Sequence, residues 1–329
     1  MRQMYLGGSG LVVSEMCLGT MTFGDPCDKD TSRAIVERFR EAGGTFFDTA
    51  DVYVAGQSET ILGEIVAGYR DEVVIATKAY AAMGEGPNDR SSSRRHLVAA
   101  VDDSLRRLGT DYIDLYQLHR FDPTTPLAET LSTLEDLVRS GKVLYVGISN
   151  FNGWQLERAI RMQEAAGYDA FVSLQPQWSL AERTIELETL PAARANNLGI
   201  LPWSPLAAGF LTGKYSRGED GQGKGRFARW LDGVSDQKWA TLEVVRDIAE
   251  AHGAAPASVA IAWLLSKRFT TPIIGATRVE QLDASLAAGD LRLSDGELTR
   301  LDEAGAPAPM YPMTHPQASG RPERTLRSP

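Results

Sequence analysis

Residues 94–149 read RRHLVAAVDDSLRRLGTDYIDLYQLHRFDPTTPLAETLSTLEDLVRSGKVLYVGIS. Leu97, Val98, Val101, Leu105 and Leu108 recur at the spacing of one helix face, which predicts a helix over Ser93–Leu108. Ile113–Leu118 is a short β-rich run, Leu127–Ser140 returns to the helical period, and Val143–Ser149 is a second apolar run bounded by Gly141 and Asn150. Helix and strand therefore alternate with no room for hairpins. Parallel strands need a crossover, and this rhythm is what βαβ units look like in sequence.

The same rhythm extends in both directions. Further strands are predicted at Glu15–Leu18, Thr45–Asp48, Val73–Lys78, Ala170–Gln175, Gly199–Trp203 and Thr271–Ile274. The helices between and after them are Asp30–Ala42, Ser58–Ala67, Trp154–Ala166, Glu186–Asn197, Pro256–Ser266 and Val279–Ala288. Eight such units predict an α/β fold of the closed (β/α)8 TIM-barrel type over residues 1–305, with a tail at 306–329. Ahead of the first unit, Gln3–Leu6 and Leu11–Val13 flank Gly7-Gly8-Ser9-Gly10, an N-terminal β-hairpin placed to plug the barrel floor. Two extra helices are predicted, near Asp236–His252 and at Asp295–Ala304. The long Gly-rich segment from Leu206 to Gly233 has the length of a functional loop.

Composition narrows the partners. The chain has 329 residues and a formal net charge of -9, which argues against nucleic acid or an anionic membrane as the main partner. Cys17 and Cys27 are too few for a disulfide framework. No apolar run nears the roughly 18–20 residues needed to span a bilayer, and the amino terminus lacks a signal-like core. The expected setting is cytoplasmic, and the expected partner a small molecule.

In such a barrel, chemistry sits where strands end and βα loops begin. Asp48 ends the second strand, Lys78 the third, and His119 follows the fourth; Tyr53 lies in the loop after Asp48. Each has an ordinary reading alone: Asp48 capping a turn, Lys78 solvated, Tyr53 packed, His119 bonded under a loop. Together, at consecutive strand ends, they form a general-acid device. The ammonium is expected to lower the phenol's pKa from its ordinary value near 10. The carboxylate would hold the ammonium, and the imidazole would bond or relay to the same oxygen. No metal is needed for this.

The chain resembles the aldo-keto reductase superfamily. The resemblance runs from Cys17-Leu18-Gly19-Thr20-Met21 through Phe47-Asp48-Thr49-Ala50-Asp51-Val52-Tyr53, Ala76-Thr77-Lys78 and Asp111–His119. It continues through Gly141–Phe151 and Pro205–Tyr215 almost to Leu286. It implies Asp48, Tyr53, Lys78 and His119 as a catalytic tetrad, with Tyr53 the general acid reducing an aldehyde, ketone or keto-sugar. It also implies NADPH, with NADH possible, lying across the barrel mouth. Gly19, Thr20, Met21 and Asp48 would border this cofactor; Ser149, Asn150 and Gln175 would bond its carboxamide; Trp203, with Ser204 beside it, would stack on its ring. Leu206, Gly209, Gly213 and Lys214 would line the pyrophosphate. Gly275, Thr277, Arg278, Gln281 and Ser285 fall in the adenosine-phosphate segment. Where the family usually carries Glu-Asn this chain has Ala284-Ser285, which weakens the case for NADPH over NADH.

Other signals are absent or incomplete. No GxGxxG follows a strand, and the Gly209–Tyr215 stretch lacks the spacing and the Ser or Thr of a P-loop. Gly147-Ile148-Ser149 is no nucleophile elbow. Arg94-Arg95-His96 reads as a solvated helix start. Phe23, Asp25, Tyr80, Phe121, Trp178, Phe227 and Trp230 are candidate pocket walls, with core packing as the alternative, and Arg226 is either a phosphate contact or solvated. Two other functions stay open: oxidation or reduction of a nucleotide-activated deoxysugar, and a dinucleotide-binding regulatory subunit. Oligomeric state is left open as well.

Overall fold

The computed structural model describes residues 1–218, 231 and 233–314. The hairpin strands are β1 (Gln3–Tyr5) and β2 (Val12–Ser14). The barrel strands are β3 (Cys17–Gly19), β4 (Phe46–Asp48), β5 (Val74–Ala79), β6 (Ile113–Leu118), β7 (Val143–Ser149), β8 (Ser173–Gln175), β9 (Gly199–Ile200) and β10 (Ile273–Ile274). All eight are parallel, in the order β10-β3-β4-β5-β6-β7-β8-β9. The remaining seam closes by backbone bonds: Ile200 N–H donates to Phe269 O at 2.7 Å, Thr271 N–H to Ile200 O at 2.8 Å, and Ile273 N–H to Pro202 O at 2.9 Å. The sheet is a closed (β/α)8 barrel, as expected.

Helices α1 (Lys29–Glu41), α2 (Gln57–Val66), α3 (Arg94–Leu108), α4 (Leu127–Arg139), α5 (Gly153–Ala166) and α6 (Thr189–Ala195) follow β3 to β8 in turn. α7 (Asp236–His252), α8 (Pro256–Leu265), α9 (Val279–Leu286) and α10 (Asp295–Ala304) complete the set among the described residues. The extra helices α7 and α10 have the expected bounds and are tied together by Thr241, whose hydroxyl donates to Ala304 O at 2.9 Å. None of these helices alone is long and apolar enough to cross a membrane.

β8 begins at Ser173, later than the Ala170 expected, and no proline lies there; elsewhere proline explains the boundary differences at α6, β9 and β10. The helix expected over Glu186–Asn197 is split into a 3₁₀ turn at Thr184–Leu187 and α6, with Glu188 non-helical between them at φ −143° and ψ −54°. Restarting at Thr189 puts Pro191 in the first turn, where its missing N–H is not needed. β9 and β10 are shorter than expected because Pro202 and Pro272 cannot donate to a ladder. On α3, His96 is buried and Val98 exposed, the reverse of the reading from sequence. Ser93 caps this helix by accepting from His96 N–H, and His96 faces inward with Leu97, Ala100 and Val101.

Strand alternation makes the site. A floor cluster joins Leu6 and Val13 of the hairpin region to Cys17, Phe46, Ala76, Leu115, Leu201 and Ile273 inside the barrel. Two residues further along the same strands come Gly19, Asp48, Lys78, Gln117, Trp203 and Gly275. Five of these strands thus turn an apolar residue inward at the start and a polar or small one inward at the end, while the β9 segment ends on Trp203.

Outside the barrel, α2 crosses the end of α3 at Gly63. A Cβ there would come 2.4 Å from Leu108 O. Gly63→Ala is expected to force these helices apart and cost roughly 1–3 kcal/mol. Thermal melts would show it as a lower Tm, and an unchanged Tm would mean the crossing yields freely.

Candidate active site

The loop after β4 brings Tyr53 back over the barrel through a tight turn in which Tyr53 N–H donates to Ala50 O at 3.1 Å. Val54 and Ala55 follow at φ 49° and 52°. A left-handed β-branched residue is strained by the order of 1–3 kcal/mol and persists only where its surroundings hold it. The turn fixes where the phenol points.

Lys78 is fully buried, and its ammonium makes three contacts: Asp48 Oδ1 at 2.6 Å, Thr49 O at 2.7 Å and Tyr53 Oη at 3.3 Å. The other oxygen of Asp48 accepts from Gln175 Nε2 at 2.7 Å and Gln117 Nε2 at 3.2 Å. His119 stands edge-on to Tyr53, ring centroids 6.0 Å apart at 81°. The four residues expected at consecutive strand ends are brought together.

The electrostatics differ from expectation in one respect. Burial would strip Lys78 of its proton, but Asp48 and then Tyr53 outweigh it and leave the lysine's pKa raised. Lys78 therefore stays cationic. The phenol was expected to be softened by this charge; instead burial dominates and Tyr53 is raised above its ordinary value, with Lys78 only offsetting part of the rise. A desolvated phenolate costs more than one nearby ammonium recovers. Tyr53 is thus held protonated. His119 is pushed down to about 3 by burial, then by Lys78 and Arg120, so it is a neutral imidazole. That favours a hydrogen-bonding role over relay through an imidazolium.

Several of the residues expected to hold a cofactor gather at the same mouth. Ser149 donates to Gln175 O at 2.7 Å, and Asn150, left-handed at φ 55°, donates to His119 O at 3.0 Å. Trp203 Nε1 donates to Asn150 Oδ1 at 3.1 Å, which fixes the plane of the indole. Gln175 points its amide at Asp48, and the hydroxyl of buried Thr20 is engaged by Asp48 O at 3.1 Å and Ser58 Oγ at 2.8 Å. Met21 is exposed beside Gly19. A Cβ on Gly275 would meet only Gly19 O, at 3.9 Å, so the backbone is open there.

Past β9, Ser204, Ala207, Ala208, Gly209 and Gly213 all have positive φ, and Leu206 sits within this run. Ser204 Oγ accepts from Ala208 N–H at 2.9 Å. The Lys214 ammonium lies 3.4 Å from where a Cβ on Gly209 would stand. Arg278 and Gln281 are exposed at the start of α9, with Gln281 Oε1 accepting from Thr277 N–H at 2.9 Å. Ser285 is instead buried, its hydroxyl donating to Gln281 O at 3.1 Å.

Two of the candidate pocket walls are core residues. Phe23 is fully buried, and Trp178 is buried edge-on against Trp263 with Nε1 bonded to Glu186. Phe121 is half-buried, edge-on to Phe151 and Trp154. Arg226, Phe227 and Trp230 lie outside the described residues, as do residues 315–329. Sequence reasoning missed Gln117, although a polar residue facing inward two places before His119 was a signal. It also missed Arg246, which holds the glycine-rich loop by donating to Gly213 O at 2.7 Å and Tyr215 O at 2.6 Å.

Comparison with known proteins finds relatives along nearly the whole chain. The aldo/keto reductase family model matches residues 15–306. The uncharacterized oxidoreductase YrpG of Bacillus subtilis is 42% identical, over 92% of this chain and 94% of its own. Versiconal hemiacetal acetate reductase of Aspergillus parasiticus is 33% identical over 93% and 98%. L-glyceraldehyde 3-phosphate reductase of Escherichia coli K12 is 34% identical over 92% of each.

Proposed function

Because the chain belongs to the aldo/keto reductase family, an oxidoreductase family that uses nicotinamide cofactors, we propose that it reduces a small aldehyde, ketone or keto-sugar to the alcohol with NADPH. The observation that carries this is Lys78, buried and charged, 3.3 Å from the Tyr53 hydroxyl and locked from behind by Asp48. When bound, the reduced nicotinamide supplies the hydride for the carbonyl carbon. Tyr53 gives its proton to the carbonyl oxygen as the π electrons move onto it. The negative charge left on Tyr53 then faces the Lys78 ammonium, and solvent restores the proton. Neutral His119 offers one N–H to the same oxygen. Gln117 and Gln175 keep Asp48 from rotating away from Lys78.

The fit of a dinucleotide rests on backbone that can approach it closely. Gly275 leaves one side open, and the run from Ser204 to Gly213, with five residues at positive φ, carries backbone past Lys214. Trp203 and Asn150 would hold the nicotinamide end, and Arg278 the 2′-phosphate of NADPH. Two buried free thiols, Cys17 and Cys27, suit a reducing cytoplasmic setting. The acidic net charge suits a small-molecule partner over nucleic acid or an anionic membrane surface.

Fluorescence titration with NADPH and NADH, followed by a panel of carbonyl substrates, tests the reading. Saturable NADPH binding with turnover of at least one carbonyl compound is the expected result; binding of neither dinucleotide would overturn it. Arg278→Gln should weaken NADPH about tenfold, the worth of one charge-assisted contact, and leave NADH unchanged. Equal losses for both would remove Arg278 from phosphate recognition.

A further inference from the structure

Behind the tetrad lies a second polar cluster that the reduction as derived does not use. The amide of Asp51 donates to Lys78 O at 3.0 Å, which pins its backbone to β5. Its side chain is fully buried, and among the described residues no side chain bonds either carboxyl oxygen and no hydrogen bond of normal geometry reaches them; of the backbone groups, the adjacent Val52 amide is near enough to favour the charged form. Glu59 of α2 is equally buried but satisfied: Thr77 Oγ1 donates to one oxygen at 2.6 Å and Arg107 Nε of α3 to the other at 2.6 Å. Tyr116 of β6 is buried with its hydroxyl unpartnered. The groups that act electrically on Asp51 are therefore Lys78, Glu59 and Arg107, and Asp51 in turn acts on Tyr116 and on Tyr53 of its own loop.

Charge matching singles Asp51 out. Lys78 is matched by Asp48 and Arg107 by Glu59, which leaves Asp51 as the odd charge among these buried groups. An unpaired buried carboxylate is costly enough that such groups take up a proton instead.

We propose that Asp51 is a single-proton site whose charge state governs how readily Tyr53 donates, which makes it a positioning residue for the reduction. The inference rests on Tyr53 being the general acid. Burial first, then Glu59, pushes Asp51 up to about 7, against the Val52 amide, Arg107 and Lys78. Ionised, Asp51 adds to the forces that raise Tyr53; protonated, it leaves the pull of Lys78 undiminished. Reduction should therefore slow as pH rises through neutrality.

Stability supplies a readout independent of turnover. The folded-state pKa of Asp51 exceeds its unfolded value near 4, so between the two the folded chain holds the extra proton. Its stabilising contribution is then complete below about pH 4 and lost as pH rises to about 7. Asn at this position never ionises.

The experiment compares wild type with Asp51→Asn in kcat against pH, in Tm against pH, and in difference infrared spectra between about pH 6 and about pH 9. Wild-type kcat should fall roughly three- to tenfold through neutrality, the size of a half- to one-unit change in the phenol's proton affinity. Asp51→Asn should lack that inflection. The Tm of the variant relative to wild type should climb between about pH 4 and about pH 7 and then level off. A protonated-carboxyl band should titrate in wild type and vanish in the variant. Should Asp51→Asn not fold, Glu59→Gln serves instead, because removing the neighbouring negative charge moves the kinetic midpoint to lower pH. An identical pH inflection in Asp51→Asn, or an infrared band that persists in it, overturns the proposal. No carbonyl turnover in wild type would sink the reductase reading instead, while the infrared band still decides where the proton sits.

Discussion

Tyr53→Phe is expected to lower kcat for carbonyl reduction roughly 10²–10⁴-fold, the usual worth of a positioned general acid. The substitution deletes one oxygen and keeps the ring, so the edge-on contact with His119 at 6.0 Å survives. Lys78 loses only its longest contact and retains Asp48 at 2.6 Å and Thr49 O at 2.7 Å. Nicotinamide affinity should therefore hold within about twofold and the fold should be intact. Steady-state kinetics paired with fluorescence titration separates the two quantities. A variant within about threefold of wild type in kcat would take the proton-donor role away from Tyr53.

Lys78→Met is expected to damage both activity and stability. The chain length is nearly preserved, but Asp48 would be left as a carboxylate that is 2% exposed, facing only Gln117 and Gln175. Removing one member of a buried pair typically costs about 3–5 kcal/mol because the other charge stays behind. Denaturant unfolding should show that loss, and Asp48→Asn combined with Lys78→Met should recover part of it. Activity should not return in the double variant, since the phenolate left on Tyr53 would have no cation to face. Recovered turnover there would show that the ammonium is structural and does not serve the chemistry.

Most of the frame was legible before folding because it rests on local periodicity. The strands at Ile113–Leu118 and Val143–Ser149 and the extra helices α7 and α10 have the bounds their sequence announced. Three of the boundaries that moved did so at prolines: Pro191, Pro202 and Pro272 each remove a donor that the expected element required. Orientation around an element was less legible. Val98 and His96 on α3 exchanged places because the end of an apolar stripe is set by neighbouring helices.

The convergence of Asp48, Lys78 and His119 belongs to what sequence alone determined. Alternation within β4, β5 and β6 fixes that Asp48, Lys78 and the residues near His119 emerge at one mouth, whatever surrounds them. The protonation of those groups was decided only in three dimensions. Whether Lys78 softens Tyr53 depends on how much water remains around the phenol, and the closed barrel removes enough of it to reverse the expected direction. The isolation of Asp51 is of the same kind: its carboxyl lacks a side-chain partner because α2, α3 and β6 converge on it with their own charges already matched. Position along a chain sets which face a side chain takes, but desolvation depends on everything packed around it, and that is known only once distant segments meet.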